Sequence, residues 1–256
     1  MCRAMAKPHA QFRLSHSELA IGDVPLVVGT VTALDRTLLE SPQCISSDVV
    51  EFRIDKMPRD AKWLESARAV EAAGLPVIAT VRLETEGGEW EGVDGNRLSL
   101  YEQALKELAA VDVEFKSEIG AAVAGTARKL GKVCILSFHD FEKTPPLPEL
   151  EAIVSKAQQM ASIVKVSTRV EKKEDRETLQ KLLKREWQVP LCVIGMGPLG
   201  TETRVSFAVE GSCLTYGYLD VPAAPGQLSA SELVEQLRAK LPAYDRHYVA
   251  RHQAVS

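Results

Sequence analysis

The sequence predicts an α/β fold: a closed (β/α)8 barrel of eight parallel strands, preceded by an N-terminal hairpin that closes the barrel floor. Three observations predict it. Short runs rich in Val, Ile, Leu and Thr alternate with longer amphipathic stretches. Those runs are largely apolar on both faces, as parallel strands covered by helices must be. Their number is eight, and 256 residues is an ordinary length for such a barrel, read here as one domain over 1–256. An open doubly wound sheet is the competing arrangement. It usually carries a glycine-rich phosphate turn after its first strand, whereas here that strand leads into Thr32, Ala33, Leu34 and Asp35.

Residues 12–21 precede the first strand and supply the hairpin. The expected strands are 26–31, 49–55, 77–82, 111–116, 132–139, 163–168, 191–196 and 213–220, each rich in β-formers. Between them, helical periodicity covers 60–73, 99–110, 117–130, 147–161 and 172–187, and a last helix spans 231–241. Asp60 and Ser117 are the expected start signals of two of these helices. Gly74 and Gly131 are expected stops, and Pro190 follows the fifth helix. The intervals 33–47 and 200–210 carry little periodic signal.

The formal net charge is −4 and basic residues are scattered, so neither nucleic acid nor an anionic membrane is the expected partner; a small molecule is. No apolar run approaches the length of a membrane span. Residues 1–11 lack the continuous apolar stretch of a secretory signal, which predicts a cytoplasmic protein. Five cysteines, Cys2, Cys44, Cys134, Cys192 and Cys213, are widely spaced with no Cys-x-x-Cys, and read as reduced thiols, not as a disulfide or metal framework. No metal or organic cofactor is expected, because no His-rich or Cys-rich ligand spacing exists.

The chemistry lies in polar residues placed on strands. Side chains alternate along a strand, so Glu51, Arg53 and Asp55 share one face, as do Thr80 with Arg82, Asp112 with Glu114 and Lys116, Ser137 with His139, and Lys165 with Ser167. If these faces point inward, a ring of Glu51, Arg53, Arg82, Glu114, His139 and Lys165 converges at the carboxyl end of the barrel, where active sites of this architecture lie. Buried charges are costly unless paired or functional, and five successive strands carry them. Lys165 sits among Ile163, Val164 and Val166, where desolvation would favour a neutral, nucleophilic amine; a lysine snorkelling from a strand end is the plainer alternative. His139 is a proton-transfer group or a hydrogen-bonded structural histidine. Glu51 and Arg53 either pair, with each other or with Arg82, or meet a ligand. Glu86, in Glu86-Gly87-Gly88, is a functional or a solvated loop carboxylate. The stretch 220–227 is rich in Pro and Gly and forms either a flap over the mouth, with Gln227 reaching a ligand, or an ordinary loop.

In order along the chain, Glu51-Phe52-Arg53-Ile54-Asp55, Thr80-Val81-Arg82 with Glu86-Gly87-Gly88, Asp112-Val113-Glu114, Ser137-Phe138-His139-Asp140-Phe141, Val164-Lys165-Val166, Gly195-Met196-Gly197 with Thr203-Arg204, and Ala224-Pro225-Gly226-Gln227 resemble the blocks of type I 3-dehydroquinate dehydratases. The resemblance implies a TIM barrel, a Schiff-base hydro-lyase of the shikimate pathway acting on 3-dehydroquinate, and a homodimer, since dimers are common in the family. It implies that Lys165 forms the imine, that His139 shuttles protons with Glu86 assisting, and that Glu51, Arg53, Arg82, Arg204, Gln227 and the residue at Ala223 meet substrate. Three positions depart from the usual pattern: Gly29 and Ala223 stand where many relatives have Ser, and Thr203 replaces the Ser before the arginine. A missing hydroxyl costs about 1 kcal/mol of binding, too little to change the reaction class. Another Schiff-base barrel lyase, such as a sugar-phosphate aldolase, and a catalytically inactive binding barrel are the other functional readings.

Overall fold

All eight expected strands form, and all run parallel. The computed structural model describes residues 9–34, 45–222 and 227–253. An antiparallel hairpin of β1 (Ala10–Arg13) and β2 (Glu18–Ile21) comes first. The sheet strands follow: β3 (Leu26–Val31), β4 (Val49–Arg53), β5 (Val77–Thr80), β6 (Ala110–Glu114), β7 (Val133–Asp140), β8 (Ile163–Arg169), β9 (Leu191–Met196) and β10 (Leu214–Tyr218). They pair in the order β10-β3-β4-β5-β6-β7-β8-β9. Between β9 and β10 the seam is closed differently. The Cys213 N–H donates to the Leu191 carbonyl at 2.9 Å, and the Ser212 hydroxyl accepts from the Val193 N–H at 2.9 Å.

Period-two alternation divides the apolar residues between two cores. Inside the barrel, Leu26, Val28, Val49, Ile78, Ile135, Ile163, Cys192 and Leu214 form the lower layers, and Phe12, Leu19 and Ile21 of the hairpin pack into them from below. The hairpin thus closes the floor as expected. Outside, Val50, Phe52, Ala79, Val113, Leu136, Val164 and Val166 meet the helices.

Those helices are α1 (Trp63–Ala72), α2 (Asp94–Glu107), α3 (Gly120–Lys129), α4 (Leu147–Ala157), α5 (Lys173–Leu183), α6 (Thr203–Glu210), α7 (Ala230–Lys240) and α8 (Pro242–Gln253). The bounds of some depart from expectation for physical reasons. Asp60 caps nothing: α1 begins at Trp63, and Lys62 ahead of it makes no side-chain cap. Ser117 donates its hydroxyl to the Glu114 carbonyl at 2.9 Å instead of accepting from a helix N–H, so a turn intervenes before α3. Helix α2 starts five residues earlier than expected, and α6 and α8 lie beyond the expected set. Four strands are also shorter: β4 ends at Arg53, β5 at Thr80 and β6 at Glu114, so Asp55, Arg82 and Lys116 lie off the strand faces assigned to them, and β10 spans only Leu214–Tyr218. The Lys116 ammonium sits 4.6 Å over the Phe138 ring instead.

Helix α8 is tied to the barrel by Asp48, which is fully buried. Its carboxylate accepts from the Val27 N–H at 2.8 Å, the Tyr244 hydroxyl at 2.8 Å and Arg251 at 3.0 Å. Cys134, Cys192 and Cys213 are free and buried, in line with the reduced reading; Cys2 and Cys44 lie outside the described residues. Among the described residues no helix is long and apolar enough to cross a membrane.

Candidate active site

The strand register brings the charged residues together. Ser137 stands level with Glu114 on one side and Lys165 on the other, and Glu51 stands level with Thr30. Side chains level across parallel strands point to the same face, and here that face is the barrel interior above its apolar layers. The result is a cavity of about 150 Å³ at the carboxyl end, lined among others by Glu51, Arg53, Arg82, Glu86, His139 and Lys165. Arg204, Tyr216 and Gln227 complete its wall.

Lys165 is 4% exposed, and its Nζ lies 2.6 Å from Asp112 Oδ2 and 4.3 Å from the centre of the Tyr216 ring. The plainer reading, a lysine snorkelling to water, does not hold. Burial of the amine is matched by a buried carboxylate at ion-pair distance. The Asp112 carboxyl is itself held far below the usual range. Burial opposes this, but the Arg82 and Lys165 cations outweigh it.

Arg82 is buried and engaged on both arms. Nη2 donates to Asp112 Oδ1 at 2.6 Å, and Nη1 reaches Glu114 Oε1 at 3.1 Å and Ser137 Oγ at 2.7 Å. Glu114 also accepts from Arg97 at 2.5 Å and from the Leu83 N–H at 2.9 Å. Arg53 pairs with neither Glu51 nor Arg82. Once β4 ends, the turn over Ile54–Lys56 swings Asp55 back, and Arg53 grips it through Nε at 2.9 Å and Nη2 at 2.8 Å. Glu51 instead accepts hydroxyls from Thr30 at 3.0 Å and Thr80 at 2.8 Å.

Glu86 is buried, not solvated. Its Oε2 lies 2.9 Å from His139 Nδ1 and accepts the His139 backbone N–H at 3.0 Å. The two glycines after it make this possible. Gly87 adopts a φ of +78°, and a Cβ on Gly88 would stand 1.9 Å from the Arg82 carbonyl oxygen. Burial pushes the Glu86 carboxyl up to about 7 against the pull of Arg82. Burial, with the nearby Arg82 and Lys165 cations, pushes the imidazole well down, so His139 is neutral at pH 7. With Nδ1 on Glu86, Nε2 is the nitrogen left for a ligand.

Arg204 enters from α6. Thr203 anchors that helix start by accepting the Gly195 N–H at 2.8 Å, so its hydroxyl serves the turn and not the cavity. Arg204 donates to the Tyr216 carbonyl at 2.9 Å, and among the described residues no carboxylate lies within ion-pair distance of it. Burial without a counter-ion pulls its guanidinium down to about 10.

Gly29 faces away from the cavity, since a Cβ there would meet the Leu219 side chain at 2.6 Å. The strand-end hydroxyl in the site belongs to Thr30, so the departure noted at Gly29 removes nothing from it. Ala223 lies outside the described residues. Asp112, Tyr216 and Thr30 are site residues to which sequence reasoning gives no role. Alternation placed Asp112 on the right face, but only distance singles out the partner of Lys165.

A model of the family described as type I 3-dehydroquinase matches residues 24–241. A 3-dehydroquinate dehydratase of Methanocella arvoryzae is 32% identical over 214 residues, covering 84% of this chain and 96% of its own. One from Methanosarcina barkeri is 37% identical over 202 residues, covering 74% and 84%. The crystal structure of the 3-dehydroquinate dehydratase from Geobacillus kaustophilus superposes with a TM-score of 0.79 at 25% identity, over 91% of this chain and 96% of that one. Because the family match runs through all eight barrel strands and every cavity residue named above, the chain belongs to the type I 3-dehydroquinase family, a family of hydro-lyases.

Proposed function

We propose that this protein dehydrates 3-dehydroquinate to 3-dehydroshikimate through an imine on Lys165. The observation that carries the reading is one amine, buried at the mouth of a barrel, within a cavity that also holds a neutral histidine and an arginine with no carboxylate at ion-pair distance among the described residues. The substrate is a cyclic β-hydroxy ketone with a carboxylate. Arg204 takes the carboxylate, because a buried guanidinium lacking an anion gains a charge-assisted pair from it. Gln227, Glu51 and the free edge of Arg53 meet hydroxyls, with Arg82 behind them.

The Lys165 amine attacks the ketone carbon, a C=N bond forms, and the carbonyl oxygen leaves as water. The protonated imine is an electron sink, which acidifies the neighbouring C–H. His139 Nε2 removes that proton. The enamine then expels the β-hydroxyl, which takes a proton from His139 and departs as a second water. Hydrolysis of the imine returns the amine and releases the conjugated enone. The reading extends to a place in the shikimate pathway of aromatic amino-acid biosynthesis, a cytoplasmic homodimer, and a single domain over 1–256.

The test is borohydride reduction in the presence of 3-dehydroquinate, followed by peptide mass mapping. A reduced adduct on the Lys165 peptide supports the proposal. An unmodified chain, beside a labelled authentic relative, overturns it in favour of another Schiff-base substrate or an inactive barrel. Arg204→Gln is expected to raise KM by roughly 10–100-fold, as loss of a charge-assisted pair of about 1.5–3 kcal/mol would. Steady-state kinetics check this, and an unchanged KM would remove Arg204 from the carboxylate site.

A further inference from the structure

We propose that Arg97 is a positioning residue for the chemistry at Lys165, acting through Glu114, Arg82 and Asp112. The inference rests on Lys165 being the imine-forming amine.

Arg97 lies in the first turn of α2, outside the barrel wall, and is 0% exposed. It does not line the cavity that holds Lys165. Its Nη2 donates to Glu114 Oε2 at 2.5 Å, and its Nε lies 3.5 Å from Asp94, which sits at the solvent edge. From Glu114 the contacts continue inward without a gap. Arg82 bridges Glu114 at 3.1 Å and Asp112 at 2.6 Å, and Asp112 holds Lys165 at 2.6 Å. Five buried side chains therefore alternate in sign from α2 to the amine: Arg97, Glu114, Arg82, Asp112 and Lys165.

The charge count gives the chain its function. With the amine protonated there are three cations to two anions, an excess of one positive charge in a buried site. Release of the ammonium proton removes that excess. Without Arg97, the chain is balanced while Lys165 is charged, and proton release leaves it net negative. Geometry acts in the same direction. A Glu114 relieved of Arg97 draws Arg82 toward itself, and an Asp112 less neutralised by Arg82 grips the ammonium harder. Arg97 thus loosens the hold of Asp112 on the amine. A helix staple would need only one cation on Glu114, and Arg82 already supplies it.

The other titratable and charged groups facing the amine are His139 from β7, Cys192 from β9 and Tyr216 from β10, with Glu51 and Arg53 from β4, Glu86 from the turn after β5 and Arg204 from α6 lining the same cavity. Glu86, on the turn after β5, feels both Arg82 and Glu114, so the profiles are read in the His139→Ala background, which lacks the step tied to Glu86, and a displaced limb there reports on the chain from α2.

The experiment is the pH profile of kcat and kcat/KM, followed by the ultraviolet absorbance of the enone product, with thermal melts alongside. Arg97→Met is expected to move the acid limb upward by about 0.5–1 pH unit, a roughly three- to tenfold loss below the limb. Arg97→Lys keeps the charge and is expected to keep the limb. Arg97→Met with Glu114→Gln restores the excess of one positive charge and is expected to return the limb to its original pH, even if kcat stays low. A limb that stays in place while only kcat or Tm falls, or that does not return in the double variant, overturns the proposal. Should Arg97→Met fail to fold, Glu114→Gln alone decides: it adds net positive charge, a downward shift is expected, and no shift overturns the idea. Failure of the underlying reading is seen separately, as absence of a borohydride adduct on Lys165 in the unaltered protein.

Discussion

Lys165→Ala is expected to lower turnover of 3-dehydroquinate by at least about four orders of magnitude while the protein still melts cooperatively. The chemical argument is that no neighbour can substitute. Among the described cavity residues the other nitrogen bases are arginines, His139 and Lys56, and Lys56 is held by Glu89 at 2.5 Å. The structural argument is that removal of the ammonium leaves Asp112 still bonded to Arg82 and Ser137. The loss of stability is then about 1–3 kcal/mol, as for a hydrogen bond to a charged group. Lys165→Arg separates covalent chemistry from charge. It preserves a cation for Asp112 and cannot form an imine, so it is expected to be as inactive as Ala. Turnover within tenfold of the unaltered protein in the Arg variant would mean that Lys165 acts as a counter-ion and that the covalent mechanism is wrong.

For His139→Ala the expected loss in kcat is roughly 10²–10⁴-fold, with the imine still formed. The imidazole is placed after the first covalent step, so its removal strands the chain at the imine. Borohydride in the presence of substrate is expected to label this variant at least as fully as the unaltered protein. A variant that neither turns over nor labels would assign His139 to imine formation instead. The pH dependence follows from the pair it makes with Glu86. Above about 7 the Glu86 carboxyl is ionised and accepts Nδ1–H, leaving the Nε2 lone pair toward substrate; below about 7 it takes up a proton and that orientation weakens. Since burial keeps His139 itself neutral, the kcat of the unaltered protein is expected to fall as pH drops through about 7. The residual activity of His139→Ala is expected to lose that step.

Much of this site was legible in the sequence because strand alternation is strict. Glu51, His139 and Lys165 were assigned to one interior on a two-residue period alone, and the register then set Glu114, Ser137 and Lys165 side by side. What escaped was whatever depends on where a strand stops. Arg53 finds Asp55 only because β4 ends between them, and Lys116 leaves the barrel because β6 ends at Glu114. Helix α6 was missed because its eight residues follow a glycine-broken stretch too short to display a period. Helix α8 was missed for another reason. It is held by polar ties from Tyr244 and Arg251 to Asp48 and by Tyr244 and Tyr248 against the apolar face of α7, too few positions to read as a stripe. Glu86 depended on its two glycines, whose sharp turn cannot be aimed from sequence.

The hairpin packed beneath the barrel has a consequence for traffic. With Phe12, Leu19 and Ile21 sealing the lower end, the cavity is a cul-de-sac, and whatever enters leaves by the same door. In the proposed cycle two waters are expelled and one is taken back for each molecule of product. All of them share the upper opening with the substrate ring. Emptying the site is then a step in every turnover.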